Sequence, residues 1–204
     1  MNDRSPFDDL AAYFDARVAE HGYAPEACDW GSREAQWKRF QILCDVLPSL
    51  AGLTILDVGC GPAYLADYLE ERAPAAQYIG YDISGRMIEA ARERRPGVDV
   101  RHGDILALTP RPAGDVVLAS GIMFWLGENP QPWFRHLVSG LFKCSEKALA
   151  FNCLSAWGES REPGEFYPDP LETVAFCRTL SPWVCLRHDY HSRDFTIYLY
   201  KQKN

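Results

Sequence analysis

The chain has 204 residues, 47% of them hydrophobic, enough to bury about 70% of its unfolded surface around one core, which predicts a single domain over 1–204. A formal net charge of -7 and a pI near 5.2 argue against a surface that displaces counterions from nucleic-acid phosphates, so no nucleic-acid partner is expected. No run approaches the roughly 18 uninterrupted apolar residues of a spanning helix, so no membrane partner is expected either.

The first ten residues carry acids and a proline where a secretory leader would place basic residues ahead of an apolar run, so a leader is not expected. Residues 7–47 read as helical, with Ser32 placed to cap a helix and Trp37, Phe40, Cys44 and Leu47 recurring at spacings of three and four. The pattern then changes. Residues 53–58 form a short apolar run closed by glycines, as in a strand buried on both sides. A helix should follow at once, with Pro62 in its first turn and Leu65, Ala66 and Leu69 on its inner face. Further strands are expected over 77–81, 98–101, 115–119 and 147–153, and helices over 84–94, 131–143 and 170–180. Such alternation predicts crossover units and an α/β fold with a mostly parallel sheet covered on both faces. The end departs from it. Runs over 183–188 and 195–201, joined by a short polar segment, predict an antiparallel hairpin at a sheet edge. The seven cysteines are odd in number and scattered, with no Cys-x-x-Cys pair, so reduced thiols in a cytoplasm are expected and no metal.

In a parallel α/β sheet a ligand sits outside the carboxyl ends of the strands, where the strand order switches. The residues that follow the strands here are suited to chemistry. The first strand runs into Asp57-Val58-Gly59-Cys60-Gly61-Pro62, the second ends at Asp82, the third precedes Gly103-Asp104-Ile105, and the fourth precedes Ser120-Gly121. Paired glycines let backbone approach a ligand and turn sharply into a helix. The third glycine of the dinucleotide fingerprint is replaced by Tyr64, and Asp57 ahead of the loop would oppose a pyrophosphate but suit a cation. These two features weigh against a nicotinamide dinucleotide. Asp82, 21 residues after Gly61, suits a carboxylate accepting from ribose hydroxyls, while a capping role beside Ser84 fits the same position. Asp104 and Ile105 offer an acceptor for an exocyclic amine and an apolar wall for a purine.

The strings 55–62, 80–84, 102–105 and 115–120 resemble the successive motifs of the class I S-adenosylmethionine (SAM) dependent methyltransferases. The resemblance is close over 53–153 and looser toward the ends. It implies a Rossmann-like seven-stranded sheet with a C-terminal antiparallel hairpin, a helical lid over 1–47 and a core over 48–204. It also implies SAM as cofactor, S-adenosylhomocysteine (SAH) as product, and no metal. By similarity, Gly59, Cys60 and Gly61 line the methionine moiety, Asp82 the ribose, Ile83 and Met87 the adenine face, Gly103, Asp104 and Ile105 the adenine edge, and Ser120 and Gly121 the reacting side. The string 29–40 resembles the cap helices of small-molecule enzymes, which makes Trp30 and Arg39 candidates for the methionine carboxylate; a core Trp30 and a surface Arg39 fit the same string.

No Asn/Asp-Pro-Pro-Tyr/Phe string of amine methyltransferases follows the fourth strand, and the small size resembles enzymes of small molecules. The expected reaction is methyl transfer to oxygen or nitrogen of a small molecule, by a monomer or homodimer. Alternatives are an RNA or protein methyltransferase, or a SAM-binding regulatory subunit without turnover. Tyr13, Phe124, Trp125, Trp157 and Tyr167 stand in loops or before the sheet and are candidates for a substrate wall. Of the histidines, His191, outside the strands of the hairpin, is the candidate catalytic base; an exposed turn histidine fits it too.

Overall fold

The computed structural model describes residues 6–21, 32–107 and 114–203. Two helices come first, α1 (Pro6–His21) and α2 (Arg33–Cys44), the second capped by the Ser32 hydroxyl, which accepts from the Ala35 amide at 3.1 Å. Then β1 (Thr54–Val58), α3 (Tyr64–Arg72), β2 (Gln77–Asp82), α4 (Gly85–Arg94) and β3 (Val100–His102) alternate, followed by a 3₁₀ turn over Ile105–Ala107. The second half comprises β4 (Gly114–Ala119), α5 (Pro130–Lys143), β5 (Ser145–Leu154), α6 (Pro170–Leu180), β6 (Val184–Arg187) and β7 (Asp194–Tyr200).

The seven strands form one sheet in the order β3-β2-β1-β4-β5-β7-β6. β1 to β5 are parallel, and β7 enters antiparallel between β5 and β6. The order reverses between β1 and β4, so the crevice for a ligand opens above the carboxyl ends of those two strands. The predicted hairpin thus exists, but its first strand is the edge strand and its second lies inside the sheet. Pairing of Leu154 with Asp194 puts the β6–β7 turn at the same end of the sheet as that crevice.

Each face of the sheet carries its own core, which is why β1, β4 and β5 are buried on both sides. On one face α5 buries Phe134, Leu137, Val138 and Leu141, spaced three and four apart, against Val117, Leu149 and Phe151. On the other, Phe40 and Leu43 of α2 and Leu65 and Leu69 of α3 cover Ile55, Val116 and Leu118. Trp37, Cys44 and Leu47 pack against the same cluster, as their spacing predicted. Pro62 lies ahead of α3 rather than inside its first turn, because Ala63 takes a left-handed conformation (φ 60°) to start that helix.

Candidate active site

Four loops at the carboxyl edge of the sheet form the floor of a cavity of about 970 Å³, open mouth included. The loop after β1 is held by its neighbour strand: the Gly59 and Cys60 amides both donate to the Tyr81 carbonyl, at 2.8 and 3.0 Å. Gly59 has φ 73°, and a Cβ there would lie 2.1 Å from the Ile122 side chain, so conformation and space both demand glycine. The start of α3 lacks a side-chain cap, and the Arg94 guanidinium of α4 donates to the Pro62 and Ala63 carbonyls there at 2.7 and 2.8 Å and pairs with Asp67 at 2.5 Å.

Two buried carboxylates stand on this floor. Asp82 accepts the Gly61 amide through one oxygen and the Ser84 amide through the other, each at 2.8 Å. It therefore caps backbone on both sides while still bordering the cavity, so the capping and ligand-facing roles are compatible. Burial pushes its pKa up to about 6 against the pull of those two donors. Asp57 accepts the Tyr78 hydroxyl at 2.8 Å, and burial, reinforced by the nearby Asp82, pushes it up to about 7. Asp104 is exposed at the rim, where its carboxylate accepts the Leu106 amide at 2.8 Å and opens the 3₁₀ turn. Ser120 and Gly121, after β4, are clamped by a residue the sequence did not single out. Asn152 of β5 accepts the Gly121 amide and donates to the Ser120 hydroxyl, both at 3.0 Å. Its only sequence signal is a lone amide inside an apolar strand run.

The roof comes from the two N-terminal helices. α1 contributes Phe7, Leu10 and Phe14, and α2 contributes Gln36 and Phe40. α1 is tied down through Asp15, whose carboxylate accepts the Ser84 hydroxyl at 2.5 Å and the Arg86 amide at 3.4 Å, and through edge contact of Phe14 with Phe124 (6.1 Å between centroids).

Asp57, Gly59, Cys60, Gly61, Asp82, Ile83, Met87, Gly103, Asp104, Ile105, Ser120 and Gly121 all line this one cavity. Other candidates stand elsewhere. Arg39 donates to the Ala35 carbonyl and forms an ion pair with Asp194, since it leaves α2 toward β7 rather than toward the cavity. Trp30 falls outside the described residues. Tyr13 and Phe124 touch each other beside the roof (6.4 Å) without lining the cavity, and neither does Trp125. Trp157 is half exposed, donates to Asp169 at 3.0 Å and lies against His188 with its ring tilted by 31°; the Tyr167 hydroxyl is held by Glu165 and the Glu162 amide. His191 is exposed at the hairpin turn, where its Nδ1 accepts the Arg193 amide at 3.1 Å. His188 is held by the Ser155 hydroxyl at 2.8 Å.

A family model described as a methyltransferase domain matches residues 55–141. The chain is 33% identical over 155 residues to Rv1506c of Mycobacterium tuberculosis, provisionally named a methyltransferase, covering 72% of this chain and 93% of that one. It is 43% identical over 139 residues to a trans-aconitate 2-methyltransferase of Mycolicibacterium gilvum, covering 67% of this chain and 48% of that one. The chain thus spans about half the length of the trans-aconitate methyltransferases it matches. Among solved structures, the magnesium protoporphyrin IX methyltransferase of Synechocystis with bound SAM shares the fold, with a TM-score of 0.68 at 14% identity over 99% of this chain and 100% of that one.

Proposed function

The chain belongs to the class I SAM-dependent methyltransferases, and from that premise we propose that it binds SAM in the cavity above β1 and β4 and transfers the methyl group to an oxygen or nitrogen of a small molecule. One observation carries the reading: Asp57, the Gly59–Gly61 loop, Asp82 and Asp104, from three successive strand ends, border a single cavity with apolar walls. SAM supplies a methyl group on a sulfonium, open to direct in-line displacement. The floor fits it. Asp82, its carboxylate fixed by two amides, keeps lone pairs for ribose hydroxyls. Ile83, Met87 and Ile105 offer the faces of a slot for a purine, with Asp104 at its edge. Asp57 faces the cationic tail, and Ser120 and Gly121, clamped by Asn152, border the acceptor's side.

What the protein adds to such a displacement is alignment and exclusion of water. Phe7, Leu10 and Phe14 make α1 a cover over the cavity, and Asp15 latches it to the first turn of α4. The relatives named for trans-aconitate support a small acceptor carrying a carboxylate oxygen. Such an acceptor arrives deprotonated and asks no base of the protein. His188 and His191, both held by local partners outside the cavity, fit that economy.

Calorimetry with SAH tests the cofactor assignment: Asp82→Ala should weaken binding about tenfold or more, the effect of losing charge-assisted hydrogen bonds. Unchanged affinity overturns it. Methyl transfer from labelled SAM to pools of small carboxylic acids, trans-aconitate included, set against bulk RNA and protein, then tests the acceptor class; label in the RNA or protein fraction overturns the small-molecule reading.

A further inference from the structure

Gln36 stands in the roof with only 2% of its surface exposed, and its side-chain oxygen Oε1, sealed from bulk water, accepts no hydrogen bond from the described residues. A buried carboxamide oxygen left without a donor is disfavoured in a finished core, and is tolerated where a ligand completes the bond. Gln36 borders the cavity, so a bound molecule can complete it.

Placement selects which part of the ligand does so. α1 packs on α4, above the end of the cavity formed by Asp82, Ile83 and Met87. α2 packs on α3 and β5, and its Arg39 is bound to Asp194 of β7, so Gln36 covers the opposite end, over β1 and its neighbours toward β5. With the nucleoside at the α4 end, the amino-acid tail of the ligand lies under α2. There Asp57 already accepts the Tyr78 hydroxyl through one of its oxygens. An ammonium brings three N–H donors and needs several acceptors. The Asp57 carboxylate below and the Gln36 oxygen above are both acceptors at that end.

We infer that Gln36 is a cofactor-binding residue whose carboxamide oxygen accepts a hydrogen bond from the α-ammonium group of SAM and SAH, an inference that rests on the SAM reading above. Arg39, three positions on, is a candidate that the resemblance implied for the methionine carboxylate. The helix turns that side chain toward Asp194 and leaves Gln36 at the cavity.

The test is a cycle of two proteins and two ligands, by calorimetry: wild type and Gln36→Met, each with SAH and with the desamino analogue of SAH, in which hydrogen replaces the ammonium. Met fills nearly the same volume without the acceptor, so the free variant should unfold at the wild-type temperature or slightly above it. Gln36→Met should bind SAH about tenfold more weakly and the desamino analogue within about twofold of wild type. SAH affinity within twofold of wild type overturns the inference, as does an equal loss for both ligands, which marks a purely packing role. Wild-type protein that fails to bind SAH at all removes the cofactor reading, and Gln36's role with it, an outcome distinct from either.

Discussion

Floor and roof of the cavity are built on different principles. The floor is fixed at its backbone amides, by strand residues: the Gly59, Cys60 and Gly61 amides are each tied to β2 through the Tyr81 carbonyl or the Asp82 carboxylate, and Gly121 to Asn152. The roof over the α4 end is held by side chains, among them the Asp15 carboxylate and edge contacts between aromatic rings. A scaffold that must present charge to a ligand without relaxing is preorganised in this way, whereas an element that must admit and release substrates is drawn from the weakly held parts of the fold. Defects in the floor should therefore abolish binding, and defects in the roof should mainly change how fast ligands leave.

The largest effect is expected at Gly59. In Gly59→Ala a left-handed residue acquires a Cβ that collides with Ile122, and the combined strain and overpacking should weaken SAH binding at least about a hundredfold. A loss below tenfold in calorimetry breaks the claim of a rigid floor. Next comes pH. In the free protein Asp57, raised to about 7, is largely protonated below that value, so SAH affinity should fall roughly tenfold between pH 7.5 and pH 5.5. Because the folded-state pKa lies above the ordinary carboxylate value, this group favours the fold fully below about pH 4 and progressively less as pH rises through 7. A bound ammonium offsets that loss, so SAH should raise the unfolding temperature more at pH 7.5 than at pH 5.5. An equal rise at both shows that Asp57 does not face the cation.

A smaller change is expected from the roof. Phe14→Ala combined with Asp15→Ala removes the latch, and should weaken SAH threefold to fivefold, almost all of it in the dissociation rate measured by stopped flow. A loss as large as that of Gly59→Ala erases the distinction between the two regions. Smallest of all, His191→Ala should lower turnover by less than about fivefold, where a general base would contribute about a hundredfold or more.

The same contrast explains what could be read in the sequence. The sheet and the floor were legible because strand runs ending in glycines and carboxylates leave little choice of conformation: the eleven candidates at the four strand ends, and Met87 on the helix after the second, border the cavity. A helical lid was also expected, but not which of its side chains face the cavity, because a helix pattern shows that a face is buried without showing against what. Phe7, Leu10 and Phe14 recur at spacings of three and four, yet the more polar Tyr13 drew the eye and lies beside the cavity. Arg39 was claimed by Asp194, 155 residues further along, a pairing set by packing alone. Asn152 is a similar case, its meaning given only by the loop across from it.

Arg94 adds a temporal consequence. The turn into α3 has no cap of its own, and the carbonyls of Pro62 and Ala63 are satisfied by a guanidinium more than 30 residues further along the chain. Until α4 docks, that turn keeps the bonds of the Ala63 amide to the Cys60 carbonyl and of the Gly61 amide to Asp82 but lacks the guanidinium that ties it to the next helix. The glycine loop should thus acquire its form late, after the chain through β2 and α4 has collapsed on β1. In native-state hydrogen exchange, the amides of that turn and those at the end of α4 should lose protection together, as one cooperative unit.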